Sequence, residues 1–309
     1  MSRQEMPFTY RTISVRSPQG PEDAVQVMGY EGQLRDLILP EVMGGLPVRS
    51  IAGHAFEHRK ELRSVSLPQS LKTLRSFAFY GCTALSSMEL YNTTDDYYDG
   101  VIRQCPSLHY VTVHCVIPDN YVIVREMLND IDGVLCFRLR TPEGEIRLTF
   151  PEYVNEAKED TMARAIHFSI EGAGMAYREC VGKRSLDLAG YDRLLGRLTD
   201  YDHDAAARIA LGRLACPVNL SEKSAAGYED FLRTNDVKVL TGLIRAAGDP
   251  ERRENLAVLT SRGLIGRQAL ESGLEEASRA EETEICGLLM EYRRQAFPSG
   301  AFETLSLDW

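Results

Sequence analysis

Two histidines four positions apart with a glutamate between them, His54, Glu57 and His58 in HAFEH, are the first groups whose spacing matches known chemistry. Imidazoles one helical turn apart hold zinc on one face of a helix, and a neighbouring carboxylate acts as the base of a metal-dependent hydrolase. That chemistry needs a third ligand, and none stands on a recognisable helix downstream. Repetition explains the stretch better: Ala55 and Phe56 recur as Ala78 and Phe79, with Phe77, Tyr80 and Gly81 at the positions of the three polar groups. Asp95, Asp96 and Asp99 beside Gly100 offer the oxygens that calcium prefers, but not the alternating spacing and closing glutamate of an EF-hand loop. They read as a solvated turn.

The remaining polar groups read as structural. Asp200, Asp202, His203 and Asp204 stand where a helix begins, so their carboxylates suit its positive end. Gly172-Ala-Gly174 is a fragment of a phosphate loop with no strand before it, and helix packing or a kink explains it. His167, in ARAIHFSI, reads as a core or boundary residue. The seven cysteines (Cys82, Cys105, Cys115, Cys136, Cys180, Cys216 and Cys286) are odd in number and contain no CxxC pair, which fits reduced thiols. No catalytic residue, metal ligand or cofactor is assigned.

The elements that position these groups come from internal repetition. Residues 34–61, 62–84 and 85–107 are three leucine-led copies, and Leu108 opens a partial fourth. Leu37, Val65, Met88 and Val111 share one position; Leu39, Leu67, Leu90 and Val113 share another. Apolar residues two apart mark a short strand in each copy, and the constant offset stacks those strands in parallel. Ile51 with Phe56, and Leu74 with Phe79, close the core from the return leg. A single copy cannot bury both clusters, so neighbours must stack.

LPQSLKTLRSFAFYGCTAL (residues 67–85), introduced by GYEG and LILPEVMGGLPVRSIAGHAF, resembles the BspA-type leucine-rich repeat over about residues 25–115. The third copy departs from the pattern where the AF pair is lost. Members of that family are often surface proteins, so the resemblance implies a cell-surface adhesin as one alternative. EETEICGLLMEY (residues 281–292) resembles the second helix of an ankyrin repeat, without that family's TPLH signature.

The fold class expected is α+β: a short parallel-strand solenoid, then a mainly helical domain with ankyrin-like helix pairs. The solenoid and its cap occupy 1–118, a helix and hairpin connector 119–155, the helical domain 156–295 and a tail 296–309. Strands are expected over 9–15 and 24–28, a helix over 121–131 and a hairpin over 137–150. Further helices are expected over 161–175, 187–198, 203–215, 221–234, 237–247, 250–261, 266–279 and 281–295. Residues 1–118 hold 11 Lys and Arg against 12 Asp and Glu, so the net charge of −10 is almost all C-terminal. That balance argues against nucleic acid as a partner. With no signal-like or spanning apolar run, the expected location is cytoplasmic, without membrane insertion.

What remains is surface. Asp36, Ser64, Ser66, Ser87, Glu89, Tyr110 and Thr112 must face outward between the inward columns, a mixed platform for a protein or peptide partner, with Tyr110 as the aromatic anchor. The same face, read otherwise, is solvated or covered by the chain's own C-terminal part. Phe302, Leu305, Leu307 and Trp309 make the tail a second docking candidate. The function expected is a noncatalytic interaction scaffold, with the adhesin and a hydrolase using His54, Glu57 and His58 as its rivals.

Overall fold

The computed structural model describes residues 3–5, 7–17, 20–160, 165–198 and 202–298. Three strands come first, β1 (Arg3–Glu5), β2 (Phe8–Ser17) and β3 (Gly20–Tyr30). The first repeat then supplies β4 (Asp36–Ile38), β5 (Val42–Met43) and β6 (Leu46–Ile51). The second supplies β7 (Ser64–Ser66) and β8 (Thr73–Leu74), the third β9 (Ser87–Tyr91) and β10 (Asp96–Tyr97), and β11 (Tyr110–His114) begins a fourth.

Two parallel sheets result. In the first, Asp36 lies opposite Ser64, Ser64 opposite Ser87 and Ser87 opposite Tyr110. In the second, Ile51, Leu74 and Tyr97 align on β6, β8 and β10. Strand alternation turns both expected columns inward, and Leu37, Val65, Met88, Val111, Leu39, Leu67, Leu90 and Val113 are all buried. From the return leg, Phe56 and Phe79 stack at 5.2 Å with their rings 5° apart. The expected N-terminal strands form the hairpin β2–β3, and β3 lies parallel to β6 at the end of the second sheet.

Beyond β6 and β8 the return legs, residues 54–58 and 77–81, contain no strand, yet they carry a regular ladder. The amides of His54, Phe56 and His58 donate to the carbonyls of Ser76, Ala78 and Tyr80, and those of Phe77, Phe79 and Gly81 to Asp99, Val101 and Arg103. Two left-handed bends per turn make this possible: φ is 60°, 60° and 71° at His54, Phe77 and Gly100, and 57°, 68° and 60° at His58, Gly81 and Gln104. Glycine is required at two of them. A Cβ on Gly100 would come 2.5 Å from the Phe77 ring, and one on Gly81 would come 2.3 Å from the His58 ring.

In the fourth turn, α1 (Val122–Asp130) replaces the return leg. The amides of Gly100 and Ile102, which the ladder would have satisfied, donate to the Asp130 carboxylate at 3.1 and 3.3 Å. The same carboxylate accepts from the Tyr97 hydroxyl at 2.6 Å and Arg103 at 3.4 Å, and its side chain is 4% exposed. Burial, and then the Asp130 charge, push Tyr97 well above its ordinary pKa. On the other side of the turn, buried Asn92 receives the amides of Val116 and Ile117 and donates to the carbonyls of Ile117 and Asn120.

β12 (Leu135–Thr141) joins β11 in parallel, and β13 (Gly144–Phe150) turns back antiparallel, the expected hairpin. Beyond it the sequence expectation needs correction. Residues 165–171, expected in a helix over 161–175, form β15 (Ala165–Glu171), paired antiparallel with β14 (Val154–Asp160). Ile166, Phe168 and Ile170 recur at spacing two, the strand period, and that alternation prevails. The domain expected to be helical from 156 therefore opens with a hairpin.

α2 (Gly174–Glu179) begins only where the helix expected over 161–175 should have ended, whereas the later helices fall where periodicity placed them: α3 (Leu188–Arg193) with a 3₁₀ turn after it, α4 (His203–Ala215), α5 (Glu222–Thr234), α6 (Asp236–Arg245), α7 (Arg252–Ser261), α8 (Arg267–Arg279) and α9 (Thr283–Ala296). Ser221 caps α5, its hydroxyl accepting from the Ser224 amide at 3.1 Å. By packing the chain divides into two units, Met1–Ile209 with Cys216–Leu220 and Ala210–Ala215 with Ser221–Trp309, a later division than the changes of pattern at 118 and 155. Within the second, α6 packs on α7 and α8, and α8 on α9. Arg245–Glu276 at 2.7 Å and Arg252–Glu282 at 2.8 Å join the two helix hairpins, and Arg252 also donates to the last carbonyls of α6, Leu243 and Ile244. The tail residues Phe302, Leu305, Leu307 and Trp309 lie outside the described residues.

Removing the Asp130 carboxylate leaves two ladder amides and a tyrosine hydroxyl buried without an acceptor. Asp130→Ala is expected to cost about 2–4 kcal/mol, and Asp130→Asn about half as much. Asp99→Ala, which removes an exposed partner of Arg103, should cost roughly 0.5 kcal/mol or less. Urea denaturation of the three variants checks the ranking, and equal losses from Asp130→Ala and Asp99→Ala would refute the capping role.

Candidate functional site

The outer face of the first sheet carries two rows of side chains. Asp36, Ser64, Ser87 and Tyr110 form one and Ile38, Ser66, Glu89 and Thr112 the other, as the pairing register dictates. Ser64 donates to Asp36 at 2.5 Å. Glu89 pairs with His114 at 2.7 Å and Arg140 at 3.5 Å, while His114 stacks on Tyr91 with ring centroids 4.6 Å apart. Ile38 is 74% exposed at the β4 end, with Val42, also exposed, shortly after it in the chain. The whole set of outward residues is thus brought onto one rigid surface.

That surface is not uniformly open. Arg208 of α4 donates to the Tyr110 hydroxyl at 3.2 Å, so the expected anchor is already engaged by its own chain. Farther along the same rows Cys136, Arg147 and Thr149 are buried. The Tyr191 hydroxyl of α3 accepts from the Thr149 amide at 2.8 Å and donates to the Thr149 carbonyl at 2.6 Å, much as a neighbouring strand would. The accessible platform is the stretch of β4, β7 and β9 bearing Asp36, Ser64, Ser66, Ser87 and Glu89.

The other candidates resolve into local structure. HAFEH forms no helix; Glu57 lies between the imidazoles, 2.8 Å from His54 and 3.7 Å from His58, and His54 stacks on Phe77 at 5.3 Å. Among the described residues no group of three or more His, Cys, Asp or Glu side chains is arranged to hold a metal ion. The acidic cluster disperses: Asp95 accepts from Asn120, Asp96 from Thr73 and Asp99 from Arg103. Asp204 sits in the first turn of α4, and Asp200 lies outside the described residues. Gly172 and Gly174 permit close approach of α2 to the preceding chain, since a Cβ on Gly174 would come 2.2 Å from the Pro151 carbonyl. His167 lies opposite Lys158 in the β14–β15 hairpin.

Four of the thiols, Cys82, Cys105, Cys115 and Cys136, are buried, and Cys180, Cys216 and Cys286 are partly exposed. All seven are free. Cys82 and Cys105 each donate to the carbonyl of the preceding turn, Phe56 and Phe79, at 3.1 Å. The Cys105 thiol and burial push Cys82 upward, and burial alone raises Cys115 to about 11. Those upward shifts keep the Cys82 and Cys115 thiols protonated and unreactive.

Sequence reasoning missed the outer rows of the second sheet, which bring Arg11 and Arg75 to one groove. Their strands are two residues long in β8 and β10, too short for alternation to register. The offset between copies was the available signal, since Ser50, Thr73 and Asp96 align once the copies are superimposed.

Residues 33–122 match the model of the BspA type leucine rich repeat region. Among solved structures, a leucine-rich repeat protein of T. pallidum is 20% identical, with 33% of this chain and 68% of that chain covered and a TM-score of 0.22. A leucine-rich repeat protein from Bacteroides ovatus is 13% identical, covering 35% and 48% with a TM-score of 0.20. No curated protein matches. No helix among the described residues is long and apolar enough to cross a membrane.

The dispersed histidine geometry has a direct check. Equimolar zinc, or excess EDTA, is expected to leave the melting temperature within about 1 °C of its starting value. A zinc-dependent rise that His54→Ala abolishes would restore the hydrolase reading.

Proposed function

We propose that the BspA-type leucine-rich repeats of residues 33–122 make this chain a noncatalytic protein-interaction scaffold, whose partner rests on the outer face of the first sheet. The observation that carries the reading is the polar surface over β4, β7 and β9, where Ser64 donates to Asp36 and Glu89 pairs with His114, bordered by the exposed apolar Ile38. Side chains held on paired strands lose little freedom on binding, and exposed apolar surface such as Ile38 is what a protein partner buries at the core of an interface, with polar groups around it. The paired helix hairpins α6–α7 and α8–α9, which we read as ankyrin-like, offer a second surface of the same kind.

Seven free thiols, four of them buried, favour a reducing compartment over the cell surface and so an adaptor over an adhesin. Recovery of the native protein in a surface fraction would reverse that preference.

Ser66→Arg and Glu89→Lys place bulk and charge on the accessible platform without touching the core. Affinity capture with the full chain and each variant, with bound proteins identified by mass spectrometry, is expected to show a partner held by the wild type and weakened about tenfold or more by either change. Partners retained equally by all three would remove the first sheet from the interaction.

A further inference from the structure

We propose that the groove on the outer side of the second sheet docks an acidic peptide segment of a partner protein, its carboxylates received by Arg11 and Arg75. The inference rests on the scaffold reading but uses a different surface from the face of the first sheet.

The groove follows from the register. Gln26, Ser50, Thr73 and Asp96 form one outward row across β3, β6, β8 and β10. The ladder continues one step further, with the amides of Ala52, Arg75 and Tyr98 donating to Val27, Ile51 and Leu74, so Met28, Ala52, Arg75 and Tyr98 form the next row. Between Met28 and Arg75 that row holds only the small side chain of Ala52. The trough that results has a volume of about 560 Å³, is open to solvent, and is bordered by Arg11, His54 and Tyr98.

Its charge is the reverse of the chain's. The sequence carries 45 acidic against 35 basic residues, yet among the described residues no carboxylate lines this groove. Neither guanidinium forms an ion pair with a described residue: Arg11 donates through Nε to the Gln26 amide oxygen at 2.8 Å, and Arg75 lies 4.6 Å from the centroid of the Tyr98 ring. The carboxylates nearby in the fold have partners of their own. Asp96 accepts from Thr73 at 3.3 Å, Glu57 is held by His54, and Glu22 pairs with Arg49 at 3.4 Å.

Both cations are held in place before any ligand arrives. Gln26 is 5% exposed and donates to Ser50 Oγ at 3.0 Å, so a buried relay fixes the amide that orients Arg11. Arg75 is fixed by stacking on Tyr98. Both guanidiniums keep N–H groups that can donate to carboxylates in pairs, the geometry in which arginine binds most strongly. Met28 and Tyr98 add apolar surface suited to the intervening side chains of a peptide. Two guanidiniums do not make a track for a phosphate backbone.

The test is fluorescence anisotropy with the full chain and a labelled Glu- and Asp-rich peptide containing leucine and tyrosine, beside its Gln and Asn counterpart. Binding of the acidic peptide in the micromolar range is expected, weakened about tenfold by Arg11→Ala or Arg75→Ala and abolished by Arg75→Glu, with circular dichroism confirming folded variants. The amide peptide should not bind. Equal binding of the two peptides, no binding of either, or indifference to both arginine substitutions would each overturn the proposal. Displacement of the acidic peptide by inorganic phosphate at matching concentration would also overturn it, in favour of a small-anion site. Glu89→Lys measured in parallel separates the two surfaces: it should leave peptide binding unchanged, and failure here while Glu89→Lys still loses a captured partner would leave the scaffold reading intact.

Discussion

A stacked turn can satisfy its backbone only through the turns on either side of it. The return legs show how strongly this governs the solenoid, because they keep a regular donor ladder, residue 54 to 76, 56 to 78 and 58 to 80, without forming a strand or a helix. A buried amide without an acceptor costs about as much as a lost hydrogen bond. Each copy must therefore bend at the same two places, and both bends lie in left-handed backbone. The array must also stop deliberately. Asp130 supplies the carboxylate that the missing fourth leg would have supplied as carbonyls, and Arg59 supplies donors at the opposite end by reaching the Tyr30 and Gly32 carbonyls.

The same constraint explains which residues repeat and which drift. Phe56 and Phe79 stack in the core, and in the third copy Ile102 takes their place, with Val101 where Ala55 and Ala78 stood; both are fully buried, so the space is filled although the AF motif is lost. Gly100 was not free to drift, because the Phe77 ring lies where its Cβ would be. Arg178 does comparable work after the solenoid. It is buried and donates to the carbonyls of Pro151, Gly174, Ile131, Asp132 and Gly133, tying α2 to the chain on both sides of the β12–β13 hairpin. Burial lowers its pKa to about 10, still well above neutrality, so the charge persists and the carbonyls compensate it.

The solenoid was legible in sequence because its core columns repeat with constant offset, so Leu37, Val65, Met88 and Val111 announce a strand position that no single copy would establish. The helices after residue 187 were legible for a similar reason, their apolar period. What escaped has a physical cause in each case. The β14–β15 hairpin is short and alternates over only three apolar residues, few enough to fit a helical stripe as well. The engagement of Tyr110 by Arg208 links positions 98 residues apart and leaves no periodic trace. Asp130 looked like the end of an amphipathic helix; its role as a cap depends on the ladder, which exists only in three dimensions.

The size of the accessible face limits how it can work. Neighbouring strands lie about 4.8 Å apart and residues along a strand about 3.3 Å, so the open part of β4, β7 and β9 presents on the order of 200 Å². A stable protein complex buries about 800 Å² on each partner. The strand face alone is too small, and Tyr191 and Arg208 prevent it from growing toward β12 and β13. A partner held there must extend past Ile38 and Val42 at the β4 end or contact another part of the chain. Repeat scaffolds meet that requirement by presenting several modest surfaces on one rigid framework, so that affinity accumulates across sites that are individually weak. By that reasoning the use proposed for the second sheet complements the one proposed for the first, because its outer rows are set by the same register and the same ladder.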